Sequence, residues 1–186
     1  MRVAPAVLSS ITFCLFLSTA ASAQDMPPMP KPGPEHQMFT MDEGTWDAVI
    51  EMTPPGGGPA TTSKGMQTDT VGCGGLCLIT DFKGEFMPGM AFHGHGLTAY
   101  DAAKKKYVGS WTDSMSTGLM TSESTYDPAT KSLTGWMEGP DMTGAVQKSK
   151  STSTFADADH KSMTMFMTGP DGKEIQMMKI SYTRRK

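Results

Sequence analysis

The chain has 186 residues, with 16 Lys and Arg against 19 Asp and Glu and a formal net charge of −3 at pH 7. That length suits one domain. Positive charge clusters only at Lys104-Lys105-Lys106 and Arg184-Arg185-Lys186, where a turn and a chain end are expected, so no nucleic-acid partner is expected.

The N-terminus carries Arg2, then a mostly apolar stretch over residues 7–17, then Ala21-Ser22-Ala23. This is the pattern of a signal peptide over residues 1–23, cleaved before Gln24. Cys14 falls inside its apolar part. The stretch is too short for a permanent membrane anchor. An exported protein is expected, periplasmic or extracellular. Residues 24–34 hold Pro27, Pro28, Pro30, Pro32 and Pro34 and read as an extended spacer. A single domain is expected over residues 35–186. It starts with one short helical turn at Pro34-Glu35-His36-Gln37-Met38, with Pro at its start and an acid in its first turn.

From Thr45 the hydrophobic period becomes two. Trp46, Ala48, Ile50 and Met52 share one face of a strand over residues 45–53, the pattern of a half-buried strand. Further strands are predicted over residues 61–71, 76–82, 90–100, 107–113, 119–126, 132–138, 146–155, 161–168 and 174–183. Four similar turns separate later strands: Tyr100-Asp101-Ala102-Ala103-Lys104, Tyr126-Asp127-Pro128-Ala129-Thr130-Lys131, Phe155-Ala156-Asp157-Ala158-Asp159 and Met167-Thr168-Gly169-Pro170-Asp171-Gly172-Lys173. Hairpin after hairpin with no helix between strands predicts an all-β meander. About ten strands strain an open sheet, and closure removes its edges. The predicted architecture is an up-and-down antiparallel barrel, with a two-sheet β-sandwich as the alternative.

Cys73 and Cys77 enclose Gly74-Gly75-Leu76. In an oxidising compartment this pair reads as a disulfide, with a metal pair or a redox pair as the other readings. The interior is unusual: Leu, Ile and Val are scarce and there are 18 methionines. Met163, Met165 and Met167 share one strand face, while Met177 and Met178 are expected to point opposite ways. Met fills irregular space, which suits plain core packing or an adaptable apolar cavity.

An ordered series of motifs runs along the chain: Pro34-Glu35-His36, Gly44-Thr45-Trp46-Asp47, Phe82-Lys83-Gly84-Glu85, His95-Gly96-Leu97-Thr98-Ala99-Tyr100-Asp101, Trp111-Thr112-Asp113-Ser114-Met115-Ser116-Thr117-Gly118, Met167-Thr168-Gly169-Pro170-Asp171-Gly172-Lys173-Glu174 and Ile180-Ser181-Tyr182-Thr183. The series resembles the DUF1579 family, bacterial proteins of unknown function. The resemblance spans nearly all of residues 34–186. It implies a lipocalin-like barrel and no assigned activity. Gly44-x-Trp46 also resembles the Gly-x-Trp start of lipocalin-type barrels.

Two candidate sites stand out. Trp111, Asp113, Ser114, Met115, Ser116 and Thr117 gather an aromatic and several polar groups at a strand end, where a barrel mouth would admit a ligand. Trp46 joins them as a candidate ligand contact. His93-Gly94-His95 puts two imidazoles on one strand face, a pairing suited to zinc or copper. A third ligand would come from Cys73, Cys77, His36, Glu85 or a Met. No nucleophile elbow, phosphate loop or dinucleotide fingerprint occurs, and no cofactor is identified. The leading expectation is an exported barrel binding a small apolar or amphipathic ligand. Metal binding through His93 and His95 is the alternative, and a hydrolase or isomerase with its site in the cavity is the next.

Overall fold

Alternation is clearest in the first strand. Trp46, Ala48 and Ile50 are buried while Asp47, Val49 and Glu51 face solvent. The computed structural model describes residues 28–54, 58–169 and 171–186. The expected signal peptide and residues 24–27 of the spacer lie outside the described residues, as do Pro55-Gly56-Gly57 and Pro170.

Ten strands follow in order: β1 Gly44–Met52, β2 Thr61–Gly72, β3 Cys77–Met87, β4 Met90–Asp101, β5 Lys106–Asp113, β6 Met120–Asp127, β7 Ser132–Pro140, β8 Val146–Phe155, β9 His160–Thr168 and β10 Glu174–Arg184. Each pairs antiparallel with its sequence neighbours, and β1 pairs with β10 from Trp46↔Arg184 to Met52↔Met178. The sheet is therefore a closed barrel, and the sandwich alternative is set aside. The turn sequences act through their first Asp. Asp101 accepts from the backbone N–H groups of Ala103 at 2.9 Å and Lys104 at 3.0 Å. Asp127, Asp157 and Asp171 accept in the same way from Ala129, Asp159 and Lys173. Such side chains mimic a turn carbonyl.

The helical turn is longer than expected. A 3₁₀ turn at Pro34–His36 continues into α1, Gln37–Asp42. The extension comes from tertiary packing. Met38 and Phe39 are buried with Leu78, Tyr107 and Phe155, and the Phe39 ring meets Tyr107 edge-on at 5.8 Å. Tyr107 Oη donates to the Glu35 carbonyl at 2.6 Å. The helix thus plugs one end of the barrel. Arg184 pins its C-terminus by donating to the carbonyls of Met41 at 2.8 Å and Glu43 at 2.5 Å, which helix geometry leaves unpaired. The same guanidinium lies 4.0 Å from the Trp46 ring centroid, and Lys161 Nζ lies 4.3 Å from it. The disulfide Cys73–Cys77, with a Cα separation of 5.5 Å, closes the β2–β3 connection at this same end.

A charged cluster sits inside the plugged end. Lys161 Nζ donates to Asp42 and, at 2.9 Å, to Asp69. Asp69 is fully buried and also accepts from Thr80 Oγ1 at 2.6 Å and Gln67 Nε2 at 2.7 Å. Two carboxylates share one ammonium, so the cluster carries a net negative charge when all are ionised. Burial pushes the Asp42 carboxyl up to about 6, against the pull of Lys161. Burial likewise drives the Tyr182 phenol upward, with Asp69 and Asp42 adding to it.

The cluster sets a pH signature. The folded-state value for Asp42 lies above its ordinary 3.8, so the stability it contributes is fully present below that value and is lost as pH rises through about 6. Urea unfolding of Asp42→Asn is expected to lack this component between those limits when compared with wild type. Lys161→Met removes the cation bonded to both buried carboxylates and is expected to cost about 3–5 kcal/mol at neutral pH. That deficit should shrink in acid, as the carboxylates take up protons.

Candidate functional site

The end opposite α1 is open. Inward side chains in that half enclose a cavity of about 540 Å³, lined by ten methionines together with Phe82, Phe86, Phe92 and Trp111. Met163, Met165 and Met167 line it from β9, as their shared face requires. Met177 and Met178 both line it, contrary to the expectation that they diverge. The cause is a bulge in β10, where the register against β9 shifts between Gln176 and Met178. An extra residue in one strand turns two neighbours toward the same side. Met52, Met120 and Met137 complete much of the wall from other strands. These were visible in the sequence only through strand parity.

Asp113 organises the mouth. It ends β5, and its carboxylate accepts from Trp111 Nε1 at 2.8 Å and from the backbone N–H groups of Met115 at 2.8 Å and Ser116 at 3.0 Å. Ser116 Oγ donates to the Gly118 carbonyl at 3.2 Å. These bonds fold the Trp-Thr-Asp-Ser-Met-Ser segment into a fixed rim and lock the indole inward. Trp111, Asp113, Met115 and Ser116 all line the cavity. Ser114 instead ties the rim to β4. Its N–H donates to the His93 carbonyl at 2.9 Å, and its Oγ accepts from the His93 N–H at 3.2 Å. Thr117 lies outside the cavity lining. Trp46 is fully buried below the cavity, among Ala48, Ile50, Phe82, Ile180 and Tyr182; it forms part of the floor packing rather than the lining.

The polar residues of the lining are Glu85, Asp113, Ser116, Asp141, Gln147, Lys148 and Ser149, with Gln67 and Tyr182 deeper. Asp141 is already engaged by Thr143, Ala145 and Gln147, and hydrogen bonds, that from the Thr143 hydroxyl foremost, hold its carboxyl below the usual range. The charged cluster of Asp42, Asp69 and Lys161 does not line the cavity; Gln67, which donates to Asp69, connects the two.

The β4 glycines explain how the indole fits. A Cβ at Gly94 would lie 2.2 Å from the Trp111 ring, and one at Gly96 would lie 3.1 Å from it. The intervening positions point outward, so His93 and His95 sit on the outer wall, 46% and 57% exposed. Of the four third ligands named for them, Cys73, Cys77, His36 and Glu85, none belongs to their cluster. Cys73 and Cys77 are bonded to each other. His36 is buried, accepting from the Gly33 N–H at 3.0 Å, and Glu85 lines the cavity. The neighbour is Asp81 of β3. Sequence alone hides it, because the β3–β4 register sets Asp81 opposite His95.

A family model matches residues 31–184: DUF1579, described as a protein of unknown function. No curated protein matches the chain at a significant level. Among solved structures, Rv2717c from M. tuberculosis is 11% identical, with a TM-score of 0.61, covering 83% of this chain and 99% of its own. The S-type phycobiliprotein lyase CPES from Guillardia theta is 11% identical, with a TM-score of 0.55, covering 82% of this chain and 93% of its own. At such identity these likenesses show a shared fold.

The Gly94–Trp111 contact yields a direct check on the cavity wall. Gly94→Ala places a methyl group where the indole lies and is expected to cost about 1–3 kcal/mol. The near-ultraviolet circular dichroism of the indole should change with it. An unchanged spectrum and unchanged unfolding midpoint would show that Trp111 is not seated against β4.

Proposed function

The chain belongs to the DUF1579 family, and for this member we propose an exported barrel that holds a small apolar or amphipathic molecule in its methionine-lined cavity. The observation that carries the reading is the cavity. Its volume of about 540 Å³ suits a small-molecule pocket. More than half of its lining residues are methionine or aromatic, and its charged groups, Glu85, Asp113, Asp141 and Lys148, lie at the mouth. An apolar chain or ring system would lie within, with any polar end at the Asp113 rim. Unbranched Met side chains repack around differing shapes, which favours a class of ligands over one rigid molecule. The acids and the lysine below the floor satisfy one another, so this reading assigns them to stability.

Export is part of the proposal. Ala21-Ser22-Ala23 after an apolar run supports it. The disulfide Cys73–Cys77 fits an oxidising compartment. Among the described residues no helix is long and apolar enough to cross a membrane.

Native mass spectrometry of the protein purified from its own host tests the binding reading. The expected spectrum shows a fraction of the chain with a non-covalent adduct of small-molecule mass. Met165→Trp, which fills the cavity, should lose the adduct, and Met66→Trp, on a strand position outside the cavity lining, should keep it. Protein without adduct that also fails to bind dodecanoate and 1-anilinonaphthalene-8-sulfonate would overturn the proposal.

A further inference from the structure

The outer wall of β3 and β4 carries a cluster unconnected with the cavity. Asp81, His93 and His95 each offer one ligand atom, and these atoms lie within 4.8 Å of one another. Asp81 Oδ2 lies 3.3 Å from His93 Nε2 and 3.1 Å from His95 Nδ1. The two imidazole centroids are 4.5 Å apart. We propose that these three side chains bind a divalent transition-metal ion, zinc(II) or copper(II).

The geometry carries the argument. With zinc–nitrogen and zinc–oxygen bonds of about 2.0–2.2 Å, two ligand atoms of a tetrahedral site are separated by about 3.3 Å. The carboxylate-to-imidazole distances of 3.1 and 3.3 Å match two edges of that figure. The remaining nitrogen–nitrogen edge is at most 4.8 Å and closes by small side-chain rotations, for which exposed histidines have room. The donors are two borderline nitrogens and one charged oxygen, a set that suits zinc and copper. They stand on paired strands, where the Asp81↔His95 and Lys83↔His93 register fixes their backbone positions. The fourth coordination position faces solvent, which leaves it to water or an exchangeable ligand.

Lys83 is the built-in competitor. Its Nζ lies 3.4 Å from Asp81 Oδ1, the oxygen turned away from the histidines. A metal ion would take Oδ2 and face the lysine charge across the carboxylate. Lys83 therefore weakens the site, and its side chain is exposed enough to swing away.

Isothermal titration of the mature, disulfide-bonded chain with zinc chloride and with copper sulfate tests the site, and electron paramagnetic resonance of the copper(II) form reads its ligands. The expected result is one equivalent bound at micromolar affinity or tighter, with hyperfine structure from two imidazole nitrogens. His93→Ala and His95→Ala should each weaken binding about tenfold or more, Lys83→Ala should tighten it, and His160→Ala should leave it unchanged. Binding weaker than micromolar would overturn the proposal. So would affinity insensitive to His93→Ala and His95→Ala, which would place the ion elsewhere. Because the ligands are exposed, unchanged thermal unfolding of the apo variants separates lost ligation from lost structure.

Discussion

The pairing of β1 with β10 is the constraint on which the rest depends. Seven residue pairs, from Trp46↔Arg184 to Met52↔Met178, join the two ends of the sheet. Without them the alternation along each strand would merely give two faces. With them one face becomes an interior. Every strand then has two hydrogen-bonded neighbours, and the exposed edges that invite association disappear. The same pairing brings Arg184 against Trp46 and the last carbonyls of α1, so closing the wall and seating the plug are one event.

The two ends of the barrel are chemically different. The plugged end concentrates what fixes structure: α1 with its buried Met38 and Phe39, three Asp-initiated turns, the disulfide, and the charged cluster around Lys161. The open end has soft side chains, with ten methionines and a rim held mainly by Asp113. A rigid base under an adaptable half suits a container. β4 serves both surfaces through parity: Gly94 and Gly96 admit the indole inside, while His93 and His95 present imidazoles outside.

Much of this was legible in the sequence, where local chemistry decides the outcome. Period two marked the strand that starts at Thr45, and the regular spacing of turns marked the later ones, so ten strands were expected and ten are found. The repeated Asp turns showed where they reverse. The Trp111 to Gly118 segment declared itself by composition. What escaped depends on which residues meet across the barrel. The continuation of α1 through Asp42 follows from packing on Tyr107, not from helix propensity. The β10 bulge that turns both Met177 and Met178 inward has no glycine to mark it. Asp81 joins two histidines through the register of adjacent strands, and Asp69 of β2 reaches Lys161 of β9 across the barrel interior. A pattern along one strand carries no information about the strand beside it until the register is known.

The direct measurement is methionine-methyl NMR of the ¹³C-labelled chain of residues 24–186 with an apolar nitroxide small enough to enter the barrel. The account predicts that methyl signals of Met163, Met165, Met137 and Met178 broaden first and together, while those of Met41 and Met66, outside the cavity lining, persist at the same probe concentration. Uniform broadening set only by surface exposure, or protection of all four lumen methyls, would contradict a closed wall around an accessible, methionine-lined interior.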